Sequence, residues 1–142
     1  MYKAERNKHL VISIAKAHKL IEELRKNEVA LGRDPNTWYT YENHVFGTAK
    51  IAQKIAVELK NMNSERIYVR GLLHDICRTE EDRLKRFHGI LGYNKFVDLD
   101  KDVARTCLLH MFPWNKLPEY EICQDYFFGH KEDYDFIFQI II

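Results

Sequence analysis

Apolar residues recur every three or four positions along most of this chain, and that period admits helices and little else. Leu10, Ile14, Ala17 and Ile21 mark one face of a stretch spanning residues 8–31, the spacing of an amphipathic helix. Gly32 and then Pro35 end it. Thr40 or Asn43 can cap a second helix running to about Asn61, with His44, Thr48, Ile51 and Ile55 on one face. In that reading His44 begins a core-facing stripe. Asn63 or Ser64 caps a third helix, whose apolar face is Val69, Leu72, Leu73 and Ile76. Thr79 followed by Glu80, Glu81 and Asp82 reads as another start, because acidic groups favour the first turn. A further helix follows His88-Gly89. Asp100 caps the next, which carries Val103, Ala104, Cys107, Leu108 and Met111 and stops before Pro113. The expectation is an all-α bundle.

Length and composition narrow the class further. A chain of 142 residues, 46% apolar and 30% charged, reads as one soluble globular domain or a fragment of one. The net charge of +1 argues against a dedicated nucleic-acid binder. No apolar run approaches the roughly 20 residues of a membrane helix. The N-terminal run Met1-Tyr2-Lys3-Ala4-Glu5-Arg6 lacks an apolar signal core, and three cysteines suit a reducing compartment, so a cytoplasmic location is expected. Residues 1–39 read as an N-terminal helix and connecting loop packed on the core, and residues 40–142 as the main helical domain. The tail Phe136-Ile137-Phe138-Gln139-Ile140-Ile141-Ile142 is apolar to its last residue. That predicts a buried end, a contact with a second copy of the chain, or a truncation.

Within this helical frame one pair of residues is costly. His74 and Asp75 follow the apolar run Gly71-Leu72-Leu73 and precede Ile76-Cys77-Arg78. Burying an imidazole and a carboxylate is unfavourable unless a partner compensates them, and a divalent cation does so well. Adjacent helical residues point about 100° apart, so both reach one ion most easily at a helix end. His44, on the second helix, supplies a third ligand of the same mixed type. Two imidazoles and a carboxylate accept Mn, Fe, Co, Ni, Zn or Mg.

The pattern resembles the HD-domain superfamily of metal-dependent phosphohydrolases. The resemblance is carried by Tyr41-Glu42-Asn43-His44-Val45-Phe46-Gly47-Thr48-Ala49 and by Gly71-Leu72-Leu73-His74-Asp75-Ile76-Cys77-Arg78. His88-Gly89-Ile90-Leu91-Gly92-Tyr93 and Ala104-Arg105-Thr106-Cys107-Leu108-Leu109-His110 look like its third and fourth motifs, so it covers roughly residues 40–142. It implies an HD-like helical bundle with the site between its central helices. It implies that His44, His74 and Asp75 bind the metal, and that His88 and His110 bind a second metal or contact phosphate. Arg78 would meet a phosphate oxygen and Asp75 would orient the attacking water. The substrate implied is a small phosphorylated metabolite or nucleotide.

One departure and two rivals accompany this reading. The superfamily pattern closes its site with a later aspartate, and no aspartate follows Asp135; Asp133 and Asp135 lie about two helical turns early. Activity in the chain as it stands therefore depends on another group filling that place, and a catalytically impaired binding module is the alternative. The rival metal site is a structural zinc site built from His74, Cys77, Cys107 and His110, each pair three residues apart. The basic residues Arg83, Lys85, Arg86, Lys95 and Arg105 read either as a phosphate-attracting rim or as solvated helix faces. The aromatics Trp38, Tyr39, Tyr41, Phe112, Trp114, Tyr126 and Phe127 read as core or as stacking groups.

Overall fold

In the computed structural model, which describes residues 10–60, 63–80 and 87–110, every element is helical. Helix α1 spans Ile14–Ala30, α2 Pro35–Leu59, α3 Ser64–Leu73, α4 His88–Phe96 and α5 Lys101–Leu109, with a 3-10 turn at Arg78–Glu80. The all-α expectation holds. The predicted features at Glu81, Asp82, Arg83, Lys85 and Arg86 and the segment from Met111 onward lie outside the described residues.

The helix boundaries follow from capping chemistry, and two of them correct the sequence reading. Helix α1 begins at Ile14, not near residue 8, because the Ser13 hydroxyl accepts the Lys16 amide at 3.1 Å and caps it there. Leu10 precedes this helix and is exposed. Helix α2 begins at Pro35, ahead of both expected caps. The Asp34 carboxylate accepts the Asn36 amide at 2.9 Å, and proline suits the first helical position. Helix α2 therefore runs across residues 39 and 40. Thr40 is a mid-helix residue whose hydroxyl donates to the Asn36 carbonyl at 3.0 Å. Asn63 caps α3 and Asp100 caps α5, as expected.

Helix α3 is the central element, with every residue from Ile67 to Leu73 buried. Against it α2 presents Trp38, Tyr41, Val45, Ala49, Ala52 and Ala56. The expected stripe through His44 and Ile51 is thus displaced by about one residue, and Ile51 is 62% exposed. Small side chains explain the register. Gly71 of α3 sits so close to α2 that a Cβ there would lie 2.9 Å from the Ala49 Cα. Alanines on α2 permit that approach and isoleucines would not. His44 is left at the edge of the buried stripe, partly exposed.

Buried polar pairs lock the remaining helices to α3. The Asp100 carboxylate, 2% exposed, accepts Arg66 Nη2 at 2.7 Å, the Ile12 amide at 2.8 Å and the Val103 amide at 3.2 Å. One group thereby ties the start of α1, α3 and α5. Farther along, Arg70 Nε donates to Thr106 Oγ1 at 2.9 Å, setting α5 against α3. One apolar cluster joins Ile21 and Leu24 of α1 to Val45, Leu72, Phe96 and Val103.

Candidate metal centre

Helix α3 ends where the doublet begins. His74 is its C-cap residue and the chain turns through residues 74–77. At that end the constraint of 100° between neighbours is released, and both side chains turn to one side. His44 reaches them from α2, with Nε2 at 3.0 Å from Asp75 Oδ2 and 3.3 Å from His74 Nε2. His74 Nε2 lies 3.4 Å from the same carboxylate oxygen.

The other carboxylate oxygen has its own pair of imidazoles. His88, the first residue of α4, places Nε2 at 3.0 Å from Asp75 Oδ1. His110, the C-cap of α5, places Nε2 at 2.9 Å from it, and these two nitrogens are 3.1 Å apart. Asp75 therefore stands between two triads, His44-His74-Asp75 and Asp75-His88-His110, each with its ligand atoms within 4.8 Å of one another. The sequence suggested all five residues. It did not show that one carboxylate would be shared through its two oxygens.

Backbone carbonyls set the direction of two rings. His74 Nδ1–H donates to the Gly71 carbonyl at 2.5 Å, and His110 Nδ1–H to the Cys107 carbonyl at 2.6 Å. A carbonyl only accepts, so each Nδ1 carries the hydrogen. In the neutral ring Nε2 then presents a lone pair to the centre. Burial pushes the pKa of His110 down, more than its bond to Asp75 raises it, which favours the neutral ring. His44 is also lowered, first by burial and then by the neighbouring His74. For Asp75 burial alone would raise the pKa, but the contacts with the imidazoles of His110, His74 and His88 outweigh it and hold the group ionised.

Such a set of donors fits a cation. Lone pairs facing one another at 3.1–3.3 Å repel unless a proton or a metal ion lies between them. Imidazole nitrogens with a bridging carboxylate suit borderline divalent ions. The centre is closed on the protein side, where the Asp75 side chain is 6% exposed, and open at His44, 44% exposed. Arg78 stands at this open side, with Nη1 at 3.6 Å from Asp75 Oδ2.

The zinc arrangement predicted from His74, Cys77, Cys107 and His110 does not form. Among the described residues, no group able to hold a metal contains a cysteine. Cys107 Sγ lies 3.5 Å from the Leu73 carbonyl and donates to it, while His74 and His110 turn their Nε2 atoms to Asp75. Burial pushes the Cys77 thiol up to about 12 and Cys107 well above its ordinary value, so both stay protonated. Of the basic rim, Arg105 is engaged by Asp102 at 2.5 Å and Lys95 lies exposed on α4. Trp38 and Tyr41 are core residues, whereas Tyr39 is exposed.

Sequence reasoning passed over a cleft beside the centre. It has a volume of about 340 Å³ and is lined by Tyr41, Arg78 and Thr79, among others.

The sequence model of the family described as HD domain matches residues 41–131. Neither the curated proteins nor the solved structures contain a match to the chain. No helix among the described residues is long and apolar enough to cross a membrane.

Proposed function

The chain belongs to the HD-domain family, and on that premise we propose that it is a metal-dependent phosphohydrolase acting on a small phosphorylated metabolite or nucleotide. The observation that carries this reading is the convergence of four imidazole Nε2 atoms on the two oxygens of Asp75. His44, His74 and Asp75 would hold one divalent ion. His88 and His110, with Asp75 Oδ1, would hold a second ion or the phosphate itself. A bound divalent ion supplies Lewis acidity toward a phosphoryl oxygen and acidifies water.

The chain's own groups divide the remaining work. Asp75 keeps its negative charge and orients the water. His74 and His110 are held in one tautomer by the carbonyls of Gly71 and Cys107, so their donors are positioned before any ligand arrives. Arg78, 57% exposed at the open side, offers a guanidinium to a phosphoryl oxygen. In-line displacement at phosphorus demands mainly positioning and charge stabilisation, which such a frame supplies.

The test is phosphate release from a panel of phosphomonoesters, with Mn, Fe, Co, Ni, Zn and Mg each supplied in turn. Metal-dependent release that disappears in His74→Ala and Asp75→Ala is expected. Turnover that persists in a folded Asp75→Ala variant overturns the assignment. Metal binding without release of phosphate from any ester favours the binding-module alternative.

A further inference from the structure

The loop that joins α1 to α2 reaches across to the turn that follows the His74-Asp75 doublet. Helix α1 ends in two crossed backbone bonds, from the Arg33 amide to the Glu28 carbonyl and from the Gly32 amide to the Val29 carbonyl, each 3.0 Å. Gly32 sits at φ 74°, a conformation that suits glycine at this place in a helix ending. The ending fixes the Arg33 backbone beside its own helix. From there Arg33 Nε meets Glu28 Oε2 at 2.9 Å, and Arg33 Nη2 donates to the Thr79 carbonyl at 2.9 Å. One guanidinium thereby joins α1 to the 3-10 turn Arg78–Glu80. The Glu28 side chain is 6% exposed, so solvent screens the ion pair little and the guanidinium is held in one direction.

The same turn carries Arg78. Its amide donates to the Asp75 carbonyl at 2.9 Å, but its Nη1 lies 3.6 Å from Asp75 Oδ2, beyond an ordinary hydrogen bond. A long, exposed side chain held that loosely takes its direction from its backbone. That backbone is tied to Asp75 at residue 78 and to Arg33 at residue 79. Glu28, Arg33, Arg78 and Thr79 line one cleft, so the tie and the guanidinium it aims stand together. Ordering a flexible side chain on binding weakens affinity, and an anchored backbone lessens that loss.

We propose that Arg33, held by Glu28, is a positioning residue: it fixes the turn 78–80 so that Arg78 presents its guanidinium to a phosphate group at the Asp75 centre. Arg33 acts through Arg78 and does not itself meet the anion. Glu28 already balances its charge, and the Thr79 carbonyl takes its second arm. Arginine suits this task because its planar fork serves two acceptors at a fixed angle, which the single ammonium of lysine does not. The inference rests on the proposed phosphohydrolase reading for the role of Arg78 toward phosphate.

Two measurements separate the clamp from that reading. Arg33→Lys keeps a cation for the buried Glu28 and removes the fork. Amide hydrogen exchange of the chelator-treated full chain, followed by NMR, should be faster at Arg78 and Glu80 in this variant and unchanged at Leu72 and Leu73 of α3. Inorganic phosphate is then titrated calorimetrically into the Mn²⁺-loaded protein. Arg33→Lys should weaken phosphate roughly threefold to tenfold, leave Mn²⁺ affinity unchanged, and have no further effect in an Arg78→Ala background. Arg33→Gln should behave likewise. Native exchange at Arg78 and Glu80, native phosphate affinity, a parallel fall in Mn²⁺ affinity, or an equal loss with and without Arg78 overturns the clamp. Where Arg78→Ala weakens phosphate and Arg33→Lys does not, the clamp alone fails. Where Arg78→Ala leaves phosphate binding unchanged, the Arg78 assignment in the hydrolase reading fails and takes the clamp's role toward phosphate with it. Phosphate binding that depends on both arginines, without hydrolysis of any ester, supports the clamp and refutes only the hydrolase reading.

Discussion

The close approach of α3 to the α2 backbone makes a prediction with a built-in control. Gly71→Ala would place a Cβ 2.9 Å from the Ala49 Cα and 3.3 Å from the Ala49 amide nitrogen. Both are backbone atoms of α2, so no side-chain rotation relieves the clash and the helices must part. Gly47, in the interior of α2, has no heavy atom within 4 Å of the same added Cβ. Replacing a mid-helix glycine by alanine gains about 0.8–1.0 kcal/mol in helix propensity. Gly47→Ala should therefore stabilise the protein by about 1 kcal/mol. At Gly71 the same gain opposes an overpacking cost of about 1–3 kcal/mol. The double backbone contact puts this cost in the upper part of that range, leaving a net loss of about 1–2 kcal/mol. For a chain of this length 1 kcal/mol shifts the Tm by about 3–4 °C. Thermal unfolding followed by circular dichroism should then show a fall of about 3–8 °C for Gly71→Ala and a rise of about 3 °C for Gly47→Ala. Because α2 carries His44 and α3 delivers His74, Gly71→Ala should also weaken metal binding, and Gly47→Ala should not. A Gly71→Ala protein as stable as the native one, with unchanged metal affinity, would refute the claim that this contact sets the site.

Other predictions address separate parts of the account. Asp100→Ala should cost about 2–4 kcal/mol in denaturant unfolding, because it leaves the buried Ile12 amide without its acceptor, uncaps α5 and leaves Arg66 only the Ile12 carbonyl and Asp102; a loss below about 1 kcal/mol would remove Asp100 as the clamp. Cys107→Ala should leave the metal content of the purified protein unchanged, and loss of a stoichiometric zinc would restore the cysteine reading. Acidification should destabilise the metal-free protein. His44 and His110 are lowered from the ordinary imidazole value of 6.5, so below that pH the unfolded chain takes up protons that the folded one does not. Asp75, held below the ordinary carboxylate value of 3.8, extends the loss to lower pH. Denaturant unfolding at pH 7.5 and pH 5.5 checks the sign, and greater stability at the lower pH would contradict it.

What could be read from the sequence was the chemistry that is expensive to hide. His74 and Asp75 stand out because nothing apolar explains them, and Asn63 and Asp100 because caps have few substitutes. The start of α2 was misplaced because Asp34-Pro35 looked like an ending; the same dipeptide is an N-cap and a first helical residue. The register of α2 was missed by one residue because isoleucine outranks alanine in hydrophobicity. Packing against Gly71 rewards small volume instead, so Ala49 and Ala52 are buried and Ile51 is not. The sharing of Asp75 between two imidazole pairs depends on how α4 and α5 meet α3. No local spacing encodes that.

The central claim is that the imidazoles gathered around Asp75 form a metal site. Calorimetric titration of chelator-treated protein with Mn²⁺, native beside the near-isosteric Asp75→Asn, tests it most directly. The account predicts binding by the native protein and an affinity reduced by roughly tenfold or more in the variant, because both triads lose their anionic ligand. Equal affinities in two folded proteins would contradict it.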